Sequence, residues 1–219
     1  MNNFVIAPAP IIGLPVQGIG DIFPVRRIYC VGKNYEKHVA EMGGNPAKST
    51  PVFFTKSREA VVQNGSKIPY PPQTKNLHFE VELVIAMKSA AAIFGYGVGI
   101  DMTRRDLQAA AKKNGAPWDM AKNFDCSAPC SALVQADDIV NLDNASIQLS
   151  KNGDVMQSSS LDKMIYSVPD IIGHLNKTVS LRGGDLIMTG TPEGVGPVNK
   201  GDTITGSIQG LPEITVQYI

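Results

Sequence analysis

The segment LHFEVELVIAM, residues 77–87, constrains the fold more than any other part of the chain. In its first half apolar side chains alternate with His78, Glu80 and Glu82, and its second half is apolar throughout. Alternation with a period of two is typical of a β-strand, because successive side chains of a strand point to opposite faces. The pattern therefore predicts a strand that carries Glu80 and Glu82 on one face, about 7 Å apart along the backbone.

Other short apolar runs bounded by Gly, Pro or Asn also predict strands. They lie at residues 27–31, 51–55, 95–101, 147–149, 185–188 and 213–218. The sequence Asn152-Gly153 predicts a hairpin turn. Helices are predicted at residues 35–42, from 103 to about 113, and at 167–176. Thr103 and Asp106 indicate a variant capping box at the start of the second helix. Many short strands and few helices indicate an α+β fold that is predominantly β.

The composition argues against several classes of function. Among the 219 residues there are 20 Lys plus Arg and 20 Asp plus Glu, so the formal net charge is zero. A role on nucleic acid or on a membrane surface would usually require a basic excess. The sequence predicts neither a signal peptide nor a membrane helix, which would need roughly 18 apolar residues. Three unevenly spaced cysteines do not predict a disulfide framework, so we expect a protein of the reducing cytoplasm.

The first part of the chain differs from the rest in composition. Residues 1–24 are rich in Pro, Gly and short apolar pieces. They predict an N-terminal arm that packs on the main body and does not fold separately. Residues 25–219 are predicted to form one main domain, a length sufficient for a sizeable core.

Glu80, Glu82 and Asp101 are candidate metal ligands. Two carboxylates on one strand face repel each other unless a positive charge lies between them. Asp101 ends another predicted strand, which is a frequent position for a site residue. Three oxygen ligands without cysteine suit Mg²⁺ or Mn²⁺ better than Zn²⁺. The alternative is that the two glutamates form the solvent-facing side of an amphipathic strand.

His38 and Glu41 are candidate catalytic residues. They are three residues apart on a predicted helix, so they share one face. A carboxylate beside an imidazole orients the ring and raises its basicity, as a base that activates water requires. The following Gly43-Gly44 would allow the helix to move as a lid. The alternative is an exposed helical pair without a catalytic role.

Lys122 lies in the segment WDMAKNFD, among large apolar side chains. A lysine in such surroundings is costly unless it has an anionic partner or a chemical task. The alternative is a surface lysine whose stem covers apolar neighbours while its ammonium group stays in water. Lys56, which follows the run PVFFT, presents the same two possibilities.

The segment TGTPEGVG, residues 189–196, is rich in glycine and follows a predicted strand. It lacks the ending of a phosphate-binding P-loop. Its backbone N–H groups and the Thr191 hydroxyl can bind a carboxylate. The alternative is an ordinary tight turn.

Taken in order, these segments resemble the fumarylacetoacetate hydrolase family, from about Arg26 to the C-terminus. The matching pieces are YCVGKNYEKHVAEMG, PVFFTKS, LHFEVELVIAM, GYGVGIDMTRRDLQ, WDMAKNFD and MTGTPEGVGPV. Within the family they look closest to bacterial fumarylpyruvate hydrolases and acylpyruvases. The resemblance implies a mixed β-sandwich roll of the family's C-terminal-domain type, a homodimer, and one Mg²⁺ or Mn²⁺ per chain.

The resemblance also implies roles for individual residues. The motif HxExE and the aspartate of the family's DMT motif make Glu80, Glu82 and Asp101 the metal ligands. A dyad on a mobile lid, which positions water, matches His38 and Glu41. The substrate-contacting lysine of the family matches Lys122. The other positions that match substrate contacts are Arg105, Gln108, Gly190 and Thr191.

The function that the resemblance implies is metal-dependent hydrolysis of the C–C bond of an acylpyruvate, with fumarylpyruvate favoured. The products are pyruvate and a carboxylic acid, as in the catabolism of aromatic compounds. Water held by His38 and Glu41 attacks the distal carbonyl, and Lys122 helps to stabilise the enolate. One alternative is an oxaloacetate-type decarboxylase or a hydroxymuconate isomerase or tautomerase on the same fold. Another is a non-catalytic binding protein.

One segment departs from the family pattern. Relatives usually carry a longer insert with a helix between the strands predicted at residues 77–87 and 95–101. This chain has only KSAAAIF there, residues 88–94. The sequence leaves open whether this is a true deletion.

Overall fold

Short strands joined by tight turns build most of the molecule. The computed structural model describes residues 3–45 and 51–219. Within them the strands are, in chain order, β1 (Gly13–Pro15), β2 (Ile22–Pro24), β3 (Arg27–Gly32), β4 (Val52–Lys56), β5 (Val61–Gln63), β6 (Lys67–Ile68), β7 (Leu77–Phe79), β8 (Val81–Met87), β9 (Ile93–Ile100), β10 (Thr103–Arg104), β11 (Ala128–Cys130), β12 (Val134–Gln135), β13 (Ser146–Lys151), β14 (Asp154–Ser160), β15 (Asp185–Met188), β16 (Gly196–Val198), β17 (Thr203–Ile208) and β18 (Ile214–Tyr218). The predicted α+β, predominantly β fold is confirmed.

The helices are few and short. In the described residues they are α1 (Glu36–Glu41), α2 (Arg105–Lys113), α3 (Asp119–Lys122) and α4 (Val168–Asn176). Ser167 caps α4 in a capping box with Asp170, and the start of the helix agrees with the prediction at residues 167–176. None of the helices in this part of the chain is long and apolar enough to cross a membrane.

The main sheet has the strand order β4-β3-β15-β8-β9-β11-β5, and β12 also pairs with β9. A second sheet has the order β14-β13-β17-β18-β6, and β7 lies between β10 and β16 in a small third sheet. Parallel pairing of β15 with β3 and of β11 with β5 makes the main sheet mixed. Such a curled arrangement of sheets is the fold that the sequence predicted.

Strand β8 lies at the centre of the main sheet and is buried on both faces. Val81 and Leu83 pack against the second sheet, whereas Val84 and Ala86 on the other face pack with residues of β3 and β15. A strand covered on both sides needs apolar residues at nearly every position. This requirement accounts for the continuous apolar run at residues 83–87, the last part of the strand. Glu82 is therefore a charged residue within an otherwise apolar strand.

The predicted strand at residues 77–87 is interrupted at Glu80. Its first part, β7, pairs with β10 and β16, and its second part, β8, pairs with β9 and β15. The break occurs because the chain changes sheets at this point. The Glu80 carbonyl still accepts a hydrogen bond of 2.8 Å from the Asp101 N–H, which holds the break beside the end of β9.

The capping box predicted for Thr103 and Asp106 is wrong. Thr103 lies in β10, opposite His78, and helix α2 begins only at Arg105. The Asp106 carboxylate instead accepts hydrogen bonds from the Thr74 hydroxyl, at 2.6 Å, and from a neighbouring backbone N–H. Pairing with a strand that is distant in sequence prevails over the local capping signal.

Two turns explain how the longer hairpins close. Asn152 and Gly153 have φ values of 54° and 94° and join β13 to β14, as the sequence predicted. In the segment 88–94, the N–H groups of Lys88 and Ser89 donate to the Ala92 carbonyl at 2.8 and 3.1 Å. This short turn joins β8 directly to β9.

The first residues of the chain pack on the main sheet. Strands β1 and β2 form a hairpin, and Leu14 and Phe23 lie in the same apolar cluster as Ile28. The Leu133 N–H donates to the Pro15 carbonyl at 2.8 Å. Residues 1 and 2 of the predicted arm lie outside the described residues, and the division at residues 24 and 25 stays a prediction.

Asp185 anchors the start of β15 to β3. Its carboxylate is fully buried and accepts hydrogen bonds from Arg26, at 3.0 Å, and from Arg27, at 3.0 and 3.2 Å. The Arg182 N–H donates to the same group at 2.9 Å. These bonds join parallel strands that are far apart in sequence.

We expect the substitution Asp185→Ala to lower the free energy of unfolding by about 2 kcal/mol. The cost is below the roughly 3–5 kcal/mol of a fully buried pair, because both arginines are partly exposed and regain water. Urea unfolding followed by circular dichroism measures it. As a control, Asp162→Ala removes the exposed partner of Lys163 and should leave the urea midpoint unchanged. Equal midpoints for both variants would contradict an anchoring role.

Candidate active site

Glu80, Glu82 and Asp101 converge in the interior of the protein. One carboxylate oxygen of each lies within 4.8 Å of the others. The exposed fractions of the three residues are 5%, 1% and 0%. The alternative of a solvent-facing strand side is therefore wrong for the two glutamates.

The pairing of β8 with β9 produces this convergence. Val81 pairs with Ile100 and Glu82 with Gly99, so Glu80 and Asp101 flank the same end of the ladder. Because side chains alternate along a strand, Glu80 and Glu82 point to the same side. The spacing in the sequence predicted this shared face. The pairing of β8 with β9 brings Asp101 to the same face.

Three cations surround two of the carboxylates. The Lys122 ammonium group lies 2.6 Å from both Glu80 and Asp101, and Lys56 lies 2.8 Å from Asp101. The Arg105 guanidinium pairs with Glu80. Lys56 and Lys122 are only 3% and 4% exposed, so neither is a surface lysine. Both lysines have the anionic partner that their apolar surroundings require.

These ion pairs set the protonation of the cluster. Burial raises the pKa of Glu80, but the positive charges of Lys122 and Arg105 outweigh it and hold that pKa below its ordinary value. Burial lowers the pKa of Lys122, and the charges of Asp101 and Glu80 outweigh that effect and raise it. Both groups are therefore charged near neutral pH.

Glu82 differs from Glu80 and Asp101 in its charged neighbours. Within residues 3–45 and 51–219 it forms no ion pair, and its carboxylate accepts a hydrogen bond of 2.8 Å from the Gly190 N–H. Burial and the charges of Asp101 and Glu80 raise its pKa well above the ordinary value. A buried carboxylate without a cation beside two other carboxylates fits a site for a metal ion, which would supply the missing positive charge.

Gly190 holds the backbone close to the cluster. Its φ is +95°, and an added Cβ would lie 2.7 Å from the Asn34 Cβ, so no other residue fits without a shift. Asn34 is itself fixed, because its side-chain amide donates to the Thr189 carbonyl at 2.7 Å. The Gly190 N–H is engaged by Glu82, and its predicted contact with substrate stays a prediction.

His38 and Glu41 form the predicted pair. His38 Nδ1 lies 3.1 Å from the Glu41 carboxylate, which also accepts a hydrogen bond of 3.3 Å from the Gly194 N–H. His38 is 8% exposed, whereas Glu41 is exposed. Thus the imidazole faces inward and the carboxylate holds it from outside, which does not match an exposed pair. Movement of α1 as a lid stays a prediction.

One cavity of about 440 Å³ connects these groups. Its polar wall contains most of the predicted site residues, namely Glu80, Glu82, Asp101, His38, Lys122, Arg105, Gln108 and Thr191. Glu41 and Gly190 lie behind this wall, in contact with His38 and Glu82. Phe54 and Trp118 form an apolar part of the lining, with ring centroids 5.2 Å apart. The cavity can therefore hold an anionic small molecule between charged and aromatic walls.

Sequence reasoning missed Gln157. It lies in β14 of the second sheet and is fully buried. Its amide nitrogen donates to the Thr191 hydroxyl at 2.8 Å, and its amide oxygen accepts from the Val81 N–H at 3.0 Å. It therefore orients Thr191 and holds the start of β8. No local pattern marks it, because both partners are far away in sequence.

Comparison with known proteins gives one family. The family model "Fumarylacetoacetate (FAA) hydrolase C-terminal" matches residues 27–218. A fumarylpyruvate hydrolase of Ralstonia sp. is 42% identical over 174 residues, which cover 75% of this chain and 90% of that protein. The mitochondrial oxaloacetate tautomerase of Homo sapiens is 42% identical over 200 residues, 87% of this chain and 90% of that protein.

A solved structure has nearly the same fold over its whole length. It is a fumarylpyruvate hydrolase from Pseudomonas aeruginosa in complex with Mn²⁺ and pyruvate. The two structures superpose with a TM-score of 0.96 at 42% sequence identity, over 99% of both chains. With the fold, the carboxylate cluster and the family model in agreement, this chain belongs to the fumarylacetoacetate hydrolase family.

Proposed function

We propose that the protein hydrolyses the C–C bond of an acylpyruvate, with fumarylpyruvate as the favoured substrate. The products would be pyruvate and fumarate, a reaction suited to the catabolism of aromatic compounds. The observation that carries this proposal is the location of His38 and of the three carboxylates on the wall of one cavity. A water-activating base and a metal site are the two elements that such a hydrolysis requires.

Glu80, Glu82 and Asp101 would hold the metal ion, Mg²⁺ or Mn²⁺. Three carboxylates without sulfur or imidazole are the ligand set that these hard cations prefer. When bound, the ion would supply Lewis-acid stabilisation of negative charge on a 2-oxo-acid. A relative's structure with Mn²⁺ and pyruvate supports this proposal.

His38 would act as the base. Its Nδ1 is engaged by Glu41, so Nδ1 carries the proton and Nε2 is left free to accept one. Nε2 takes a proton from water, and the water oxygen bonds to the carbonyl carbon of the acyl group. Glu41 stabilises the resulting imidazolium in the same orientation.

Lys122 would stabilise the leaving group. The bond between the attacked carbon and the adjacent methylene breaks, and its electron pair passes into the enolate of pyruvate. The buried ammonium of Lys122 borders the cavity and offsets this developing charge. A proton is then added to the enolate carbon to give pyruvate, and it balances the proton that His38 took from water. Arg105, Gln108 and Thr191 line the same wall and would bind the carboxylate of the substrate.

Oxaloacetate tautomerisation is the second candidate, because a tautomerase is as similar in sequence as the hydrolase. Decarboxylation of oxaloacetate and isomerisation of a hydroxymuconate belong to the same group of reactions. They pass through an enolate and need no attacking water. The buried His38 paired with Glu41 can take a proton from water in hydrolysis or move the proton in tautomerisation, so it favours either reaction over a non-catalytic binding role.

We also propose that the protein is a homodimer of the cytoplasm. The zero net charge gives little repulsion between copies. The free cysteines are compatible with a reducing compartment. Some relatives are named mitochondrial, and microscopy of the tagged protein in its own cells distinguishes the two compartments.

The reaction itself is tested with the wild-type protein loaded with Mn²⁺. We expect kcat/KM for release of pyruvate from fumarylpyruvate to exceed that for ketonisation of enol-oxaloacetate by about tenfold or more. Loss of enol absorbance and enzymatic determination of pyruvate measure the two reactions. Rapid ketonisation without cleavage of fumarylpyruvate would refute the hydrolase proposal and support the tautomerase.

We expect His38→Asn to lower kcat for fumarylpyruvate hydrolysis by roughly 10²–10⁴-fold, the usual contribution of a general base. Its affinity for Mn²⁺ should not change, because His38 is not among the three ligands. Glu36→Gln, an exposed change on the same helix, is the matched control and should retain activity. A decrease of less than tenfold in kcat for His38→Asn would exclude a dedicated base at this position.

We expect Glu82→Gln to weaken Mn²⁺ binding by on the order of 100-fold or more, since a charged ligand is lost. The metal-free variant should be at least as heat-stable as the wild type, because it removes a buried like charge. Isothermal titration with Mn²⁺ and thermal unfolding measure these effects. The exposed Glu213→Gln serves as control. Unchanged Mn²⁺ affinity would show that Glu82 is no ligand.

A further inference from the structure

One face of helix α2 extends the cavity away from the carboxylate cluster. Arg105, Gln108 and Lys112 are spaced three and four residues apart, so they lie on one side of the helix, and all three border the cavity. At 1.5 Å per residue, Lys112 lies about 10 Å farther along the axis than Arg105. The cavity therefore has an inner end at Glu80 and an outer end at Lys112.

A second lysine borders the same cavity. Lys33 directly follows β3 and has a φ of 63°, which is uncommon for a residue with a side chain. The next residue, Asn34, is buried and bonded to two distant carbonyl groups, those of Tyr166 and Thr189. Neighbouring interactions thus hold Lys33 in this conformation beside the cavity.

Neither lysine has an acidic partner in the described part of the chain. No Asp or Glu among residues 3–45 and 51–219 forms an ion pair with Lys33 or Lys112. Burial and the positive charges of Arg105, Lys33 and Lys122 lower the pKa of Lys112. An anion bound beside Lys33 and Lys112 would balance these two charges, which have no acidic partner in the described residues.

The aromatic part of the wall separates the two ends of the cavity. The Lys112 ammonium group lies 5.9 Å from the centroid of Trp118, which packs edge-on against Phe54. Flat aromatic faces suit a planar, unsaturated chain. A ligand with its 2-oxo-carboxylate at the inner end would pass these rings before it reaches Lys112.

We infer that Lys112, assisted by Lys33, binds the distal carboxylate of the substrate and selects dicarboxylic acylpyruvates over those with an uncharged acyl group. This inference rests on the proposed function, because it takes the carboxylate cluster as the end that receives the 2-oxo-acid. Fumarylpyruvate has a second carboxylate at the far end of an unsaturated chain. Oxaloacetate is too short to reach both ends.

The first test measures binding without catalysis. The Mn²⁺-loaded protein is titrated calorimetrically with 2-oxoheptanedioate and with 2-oxoheptanoate, which has a methyl group in place of the distal carboxylate. We expect the wild type to bind the diacid about tenfold more tightly, the lower end of what a charge-assisted hydrogen bond contributes. Lys112→Met should abolish this preference and leave binding of the monoacid unchanged.

Two further variants distinguish an effect of the Lys112 charge from a structural effect of the substitution. Lys112→Arg keeps the positive charge and should keep most of the preference for the diacid. Lys113→Met removes the adjacent exposed lysine, which does not border the cavity, and should behave as the wild type. An equal loss of affinity for both ligands in Lys112→Met, or an unchanged preference, would overturn the inference.

The second test uses hydrolysis. The substrates are fumarylpyruvate and crotonylpyruvate, in which a methyl group replaces the distal carboxylate. We expect Lys112→Met to lower kcat/KM about tenfold for fumarylpyruvate alone, mainly through KM. If the wild type cleaves neither substrate but the binding preference depends on Lys112, the hydrolase proposal fails and the inference stands. If the wild type cleaves fumarylpyruvate and Lys112→Met does so equally well, the inference fails and the hydrolase proposal stands.

Discussion

The burial of three carboxylates in one place is the constraint on which the rest of the structure depends. Glu80, Glu82 and Asp101 are at most 5% exposed, and such a cluster is costly unless positive charge surrounds it. Two lysines and one arginine, from separate segments of the chain, provide part of that charge. Lys122 lies in helix α3 and Lys56 in strand β4, so these two elements must meet at the end of the β8–β9 ladder. Glu82 has no such partner in the described residues, and this imbalance is the physical basis for proposing a metal ion.

The same imbalance bears on the two reactions named for relatives of this chain, oxaloacetate tautomerisation and fumarylpyruvate hydrolysis. A metal ion held by the carboxylates, together with the buried Lys122, would stabilise an enolate whichever bond change formed it. The reaction is then decided by what else faces the cavity. In the proposed hydrolysis, His38, held by Glu41, would add a base that takes a proton from water. The lysines at the outer end, Lys33 and Lys112, add a charge that favours longer dicarboxylic ligands. These side chains lie outside the carboxylate cluster.

The features that the sequence determined by itself are those with short-range causes. Period-two alternation placed Glu80 and Glu82 on one face, because side chains alternate on any strand. Three-residue spacing placed His38 and Glu41 together, because a helix brings such residues onto one side. The predicted start of α4 and the turn before β14 also agree with the structure, since capping and turn geometry depend on a few adjacent residues. The family could be identified from the order of the motifs.

Tertiary structure alone decided which distant groups meet. The strand predicted at residues 77–87 divides at Glu80 because its two halves pair with different strands. Thr103 joins a sheet and does not cap a helix, because His78 provides its pairing partner. Lys122 could be a surface lysine or a buried one by sequence, and only the fold placed it 2.6 Å from two carboxylates. Gln157 carries no local signal, because it orients Thr191 across two sheets. Such contacts depend on how the sheets pack, and no short segment of sequence contains that information.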